Sequence, residues 1–170
     1  MACRACGADT AHMENDIAER TRVFPAEDSD DARTRVFLAE DSDDIRTRLS
    51  DMLGKVPGIA IVGEARIPTL AIEGILRTRP HFVVLDIQLA SGSGIEVLRT
   101  LSPMKTGIVF IMLTNHSAPQ YRNACMRAGA SHFLDKTTEF EKVKEIIQDL
   151  CHTRPAAERS GSSFNSERKP

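Results

Sequence analysis

TRVFLAEDSDDIRTR, residues 34–48, runs from the apolar tetrad Val36-Phe37-Leu38-Ala39 into a cluster of acids and then into a helical spacing of apolar residues. It directly follows a near copy of itself, TRVFPAEDSDDARTR, residues 21–35, with Thr34 and Arg35 shared. Two of the fifteen positions differ, Pro25 against Leu38 and Ala32 against Ile45. Proline lacks the N–H that a strand ladder needs, and alanine is a poor apolar anchor for the helix that follows. The second copy is therefore read as the first strand and first helix of the fold, and the first as a duplicated remnant outside it. With few apolar residues and many acids, residues 1–33 read as a poorly ordered extension.

Working outward, the alternation of a short apolar run with an amphipathic stretch recurs five times. Arg35–Ala39 precedes Ile45, Leu49, Met52 and Leu53, with Asp41 or Ser42 placed to cap that helix. Ile59–Val62 precedes a segment opened by Pro68 that carries Leu70, Ile72, Ile75 and Leu76. Phe82–Leu85 precedes Ile95, Leu98 and Leu101, and Ile108–Leu113 precedes a weaker stripe of Tyr121, Cys125 and Ala128. Lastly, His132–Leu134 precedes Phe140, Val143, Ile146, Ile147 and Leu150, with Thr138 and Glu141 spaced as a capping box. Continuously apolar strands separated by helices imply a parallel sheet buried on both faces, because right-handed crossovers put helices on each side. The fold class is α/β, a (βα)5 doubly wound five-stranded parallel sheet over residues 34–152, with a disordered tail over 153–170.

The chain of 170 residues has a net charge of −2, so no global basic field draws it to nucleic acid or an anionic membrane. Its longest apolar run, Ile108–Leu113, is far short of a membrane span, and a cytoplasmic protein is expected. Cys3, Cys6, Cys125 and Cys151 are too scattered for a disulfide framework. Cys3 and Cys6 have the spacing of half a zinc site with His12 nearby, but a closed site needs four ligands, and an unstructured leader is the simpler reading.

In open sheets of this kind, ligands bind beyond the carboxyl ends of the strands. There the sequence places Glu40 and Asp41 after the first strand, Asp86 after the third, Thr114 after the fourth and Lys136 after the fifth. Three converging carboxylates call for a cation, and an all-oxygen site suits Mg²⁺. Asp86 would then be a nucleophile toward a phosphoryl donor, with the Lys136 ammonium offsetting oxygen charge and the Thr114 hydroxyl donating to a phosphoryl oxygen.

With the acids of FLAEDSDD, the acceptor of VVLDIQLASGSGIEVL, the hydroxyl of FIMLTN and the lysine of GASHFLDK in order, residues 34–151 resemble the receiver domains of bacterial two-component response regulators. The resemblance implies a flavodoxin-like receiver fold and a phosphoacceptor at Asp86, supplied by a sensor histidine kinase or phosphotransfer protein. It also implies Mg²⁺ held by Glu40, Asp41, Asp86 and the backbone carbonyl of Gln88, and a switch pair of Thr114 and Phe133. Downstream proteins would dock on the face of the fourth helix, fifth strand and fifth helix. Such a protein signals and is not an enzyme on a separate substrate. Asp86 lies 45 residues beyond Asp41, room for two helices and two strands, whereas from Asp28 the spacing is 58 and wastes the better strand.

Some positions depart from the family pattern. Thr137 stands where a cis proline usually follows the lysine, so a trans peptide and a shifted loop are expected. Ala90 replaces a common proline, which predicts a more mobile loop, and Asn115 replaces a small residue. His116 and Gln88 flank the site and are placed to position or exclude the hydrolytic water. Asp43 and Asp44 read as first-turn acids, Cys125 as an apolar helix-face residue, and His81, His132 and His152 as non-ligands. A phosphatase of the haloacid dehalogenase type needs a second acid two residues beyond the nucleophile, where Gln88 cannot serve. A receiver-like scaffold that is not phosphorylated is the alternative. The roughly 20 residues beyond the fifth helix hold no effector domain or DNA-reading helix, so a stand-alone, chemotaxis-regulator-like receiver is expected, with no direct nucleic acid or membrane contact.

Overall fold

The computed structural model describes residues 21–23 and 33–153. The strands are β1 (Thr21–Val23), β2 (Thr34–Ala39), β3 (Ile59–Ala65), β4 (Phe82–Leu85), β5 (Gln88–Leu89), β6 (Gly92–Ser93), β7 (Val109–Thr114) and β8 (His132–Asp135). The helices are α1 (Asp43–Gly54), α2 (Pro68–Thr78), α3 (Gly94–Leu101), α4 (Pro119–Ala128) and α5 (Lys142–Thr153). Five strands form a parallel sheet in the order β3-β2-β4-β7-β8, and β5 and β6 make a separate small hairpin after Asp86.

The continuous apolar strands are explained by two cores, one on each face. On β2, Phe37 and Ala39 enter one core while Val36 and Leu38 enter the other. The same alternation holds for β4, with Val83 and Leu85 against Phe82 and Val84, and for β7, with Phe110 and Met112 against Ile111 and Leu113. Helices α2, α3 and α4 cover the first core through Ile75, Val97, Leu98, Leu101 and Cys125. The second lies under α1 and α5, through Leu49, Leu53, Val143 and Ile147. Since every strand residue of the centre points into one core or the other, period-two alternation of polarity is absent.

Three expectations need correction. The first copy of the duplicated stretch is not wholly outside the sheet: Thr21, Arg22 and Val23 pair antiparallel with Ala65, Glu64 and Gly63 of β3. These three residues have the same Thr-Arg-Val as the start of β2. The remainder of the first copy, together with Cys3, Cys6 and His12, lies outside the described residues. Second, Thr138 and Glu141 do not form the capping box. Asp135 takes that part, its Oδ1 accepting from the N–H groups of Thr137 (2.8 Å) and Thr138 (3.2 Å), while Glu139 Oε2 accepts from the Asp135 N–H at 3.1 Å. A short turn thus precedes α5, which begins at Lys142. Third, Tyr121 is exposed, and of the expected α4 stripe only Cys125 is fully buried. Ser42 does cap α1, its Oγ accepting from the Ile45 N–H.

Among the described residues, no helix is long and apolar enough to cross a membrane.

Candidate functional site

Strand register brings the polar strand ends together. Ala39 pairs with Leu85 across β2 and β4, so the next residues, Glu40 and Asp86, leave the sheet side by side. The Asp86 N–H donates to the Ala39 carbonyl at 2.9 Å, which fixes this exit. Thr114 and Asp135 pair across β7 and β8, and the Lys136 N–H donates to the Thr114 carbonyl at 3.0 Å. Glu40, Asp86, Thr114 and Lys136 are all buried, polar side chains at one end of an otherwise apolar sheet.

Lys136 Nζ lies 2.6 Å from Glu40 Oε2 and 2.8 Å from Asp86 Oδ2. Glu40 Oε1 accepts from the Ser42 N–H at 3.1 Å. Burial pushes the Glu40 carboxyl up to about 7, against the opposing pull of Lys136. For Lys136, burial works against the charge, but hydrogen bonds to Asp86 and Glu40 outweigh it and hold the ammonium above its usual range.

Glu40, Asp41 and Asp86 each offer an oxygen such that all three lie within 4.8 Å of one another. Asp86 Oδ1 is buried and has no hydrogen-bond partner among the described residues. A buried carboxylate oxygen without a donor is costly unless a cation completes it. Three hard oxygens, one of them otherwise unsatisfied, fit Mg²⁺.

Thr114 is fully buried, and its Oγ1 accepts from the His116 N–H at 3.2 Å. His116 Nε2 lies 3.0 Å from Gln88 Oε1, and its ring is tilted against Tyr121 at 5.3 Å. The two residues expected to flank the site therefore touch each other. Phe133 is buried in the core, with the Arg122 guanidinium 5.2 Å from its ring and donating to its carbonyl at 3.1 Å. The peptide before Thr137 is trans, as expected, since no cis bond occurs among the described residues. The loop at Ala90 is the β5–β6 hairpin, anchored by the Ala90 N–H on the Arg66 carbonyl at 2.9 Å.

The sequence reading missed two features. Asp43 is more than a first-turn acid: it joins Arg46 and Arg66, the latter bond holding its carboxyl below the usual range. Arg46 also reaches Glu64 (Nε to Oε2, 3.1 Å) and the Glu40 carbonyl (3.0 Å), bracing the acidic loop. Gly94 is the other: a Cβ there would lie 1.9 Å from the Asp86 carbonyl oxygen. Only the glycine in SGSG hinted at so close an approach.

The model of the response regulator receiver domain matches residues 36–148, and the chain belongs to that family. Among curated proteins it is 30% identical over 102 residues to the DNA-binding transcriptional activator DevR/DosR of Mycobacterium tuberculosis, covering 60% of this chain and 47% of that one. It is also 30% identical over 115 residues to a protein-glutamate methylesterase/protein-glutamine glutaminase of Geobacillus kaustophilus, covering 64% of this chain and 33% of that one. The chain thus spans half or less of these relatives. The solved response regulator domain of Thermotoga maritima CheB superposes with a TM-score of 0.64 at 23% identity, over 72% of this chain and 99% of that one, which supports the fold.

Proposed function

We propose that the protein is a phosphoacceptor: Asp86 takes a phosphoryl group from a phosphohistidine of a sensor histidine kinase or phosphotransfer protein. The observation that carries this reading is the buried Asp86 with one oxygen held by Lys136 and the other unsatisfied, beside two further acids. A carboxylate oxygen of Asp86 bonds to phosphorus as the P–N bond breaks, and the bonding pair leaves with the donor imidazole, which takes up a proton. Lys136 is in place to offset the oxygen charge, and the Thr114 hydroxyl to donate to a phosphoryl oxygen. Glu40, Asp41, Asp86 and the Gln88 carbonyl would hold Mg²⁺, which supplies charge neutralisation when bound.

Output would pass through Thr114 and Phe133 to the face of α4, β8 and α5, where a downstream protein docks. In support of that face, α4 exposes Tyr121 and Met126 and fully buries only Cys125. The test is intact mass after incubation with acetyl phosphate, with and without Mg²⁺, for the parent and Asp86→Asn. A gain of one phosphoryl group that needs Mg²⁺ and is lost in the variant is expected. No gain in the folded parent with any donor would leave a receiver-like scaffold.

A further inference from the structure

At the end of the sheet opposite Asp86, where β2, β4 and β7 begin, the chain forms a cavity of about 780 Å³. That volume lies within the roughly 300–1,000 Å³ of small-molecule sites. Ile75, Phe82 and Ile108 line it with apolar surface, and Leu76, 44% exposed, stands at its lip. Arg35 and Arg79 supply positive charge, and among the described residues no carboxylate side chain lines it.

Arg79 has an unusual backbone for its type. It ends α2 in the left-handed region, φ 45° and ψ 59°, a position that favours glycine because a Cβ is strained there. Its N–H donates to the Ile75 carbonyl at 2.9 Å, and its own carbonyl accepts from Arg35 Nη2 at 3.0 Å and Nε at 3.3 Å. The strained turn is thus held by a second arginine. His81 Nδ1 accepts from the Arg35 N–H at 3.1 Å, fixing the β2 side of the cavity. Backbone strain retained at a cavity rim, where glycine would cost less, points to use of the side chain.

We propose that this cavity is a second ligand site, which takes a small amphipathic anion: an apolar ring-sized body against Ile75, Phe82 and Ile108, and one carboxylate or sulfonate head on Arg79. The site stands on the fold and charge distribution, independently of any chemistry at Asp86.

The test titrates the full chain with two fluorescent probes of similar shape, anionic anilinonaphthalenesulfonate and neutral phenylnaphthylamine. Both are expected to bind saturably, one per chain. Arg79→Gly keeps the left-handed turn, and it should weaken the anionic probe about tenfold, the worth of one charge-assisted hydrogen bond, while sparing the neutral one. Leu76→Trp should fill the mouth and weaken both. Absence of saturable binding, or an anionic affinity unchanged in Arg79→Gly, would overturn the proposal. So would displacement of both probes by a peptide of residues 154–170, which would assign the cavity to the chain's own tail.

Discussion

Lys136 Nζ donates to Asp86 Oδ2 at 2.8 Å, and this buried contact spans 50 residues of sequence and the gap between β4 and β8. The same ammonium touches Glu40, so one positive charge serves two buried carboxylates. Lys136→Met should therefore lower stability by about 3 kcal/mol in the absence of divalent cation, because it leaves buried charge uncompensated. The variant site becomes more negative, so Mg²⁺ affinity should rise as phosphorylation slows. Calorimetric titration of Mg²⁺ beside acetyl phosphate kinetics checks both. A Mg²⁺ affinity that falls in the variant would contradict this account of the site.

The acidic site also sets a pH dependence. Burial raises the Glu40 carboxyl from its usual range to about 7, so between about pH 4.5 and 7 the folded chain holds a proton that the unfolded chain has lost. With the folded state binding more protons, stability falls as pH rises through this window and levels off above it. The contribution is at most on the order of 3 kcal/mol. Urea unfolding in chelator at pH 5 and pH 8 should show the loss, Glu40→Gln should flatten it, and added Mg²⁺ should recover stability at pH 8.

Gly94→Ala is expected to disturb Asp86 directly. The new Cβ would meet the Asp86 carbonyl oxygen at 1.9 Å and the carbonyl carbon at 3.0 Å, so backbone must move. A loss of about 2 kcal/mol or more, as for severe overpacking, should accompany loss of phosphorylation. Gly54→Ala is the control: among the described residues nothing lies within 4 Å of a Cβ built there at the end of α1, and removing a helical glycine should stabilise by up to about 1 kcal/mol.

The five parallel strands, both cores and the four buried polar groups Glu40, Asp86, Thr114 and Lys136 were legible because each is announced locally, by an apolar run that ends in a polar residue. What escaped reading depends on distance in three dimensions. The Asp43 link to Arg66 joins α1 to the loop after β3, and the approach of Gly94 to Asp86 follows from how the β5–β6 hairpin returns the chain. The capping box failed for a different reason: Thr138 and Glu141 have the right spacing, but Asp135 reaches the same N–H groups first and delays α5. Pro25 argues against a strand at its own position, yet the Thr21–Val23 segment before it pairs with the edge of β3.

Phe37 offers a test of how the core positions the acids. Its ring would meet a Cβ built on Gly63 of β3 at 2.6 Å and one built on Gly74 of α2 at 2.7 Å, so it lies wedged between two glycines. Phe37 sits three residues before Glu40 on β2, and displacing it moves the strand that ends in the acidic site. Gly74→Ala alone should cost about 1–3 kcal/mol, the range for overpacking, and should weaken Mg²⁺ binding. Phe37→Leu alone should cost about 1 kcal/mol by trimming the ring. In the double variant the smaller side chain makes room for the methyl, so the losses should sum to less than their parts. Urea unfolding of the four proteins gives the coupling energy, and strict additivity would show that the Phe37 ring is not what the Gly74 position accommodates.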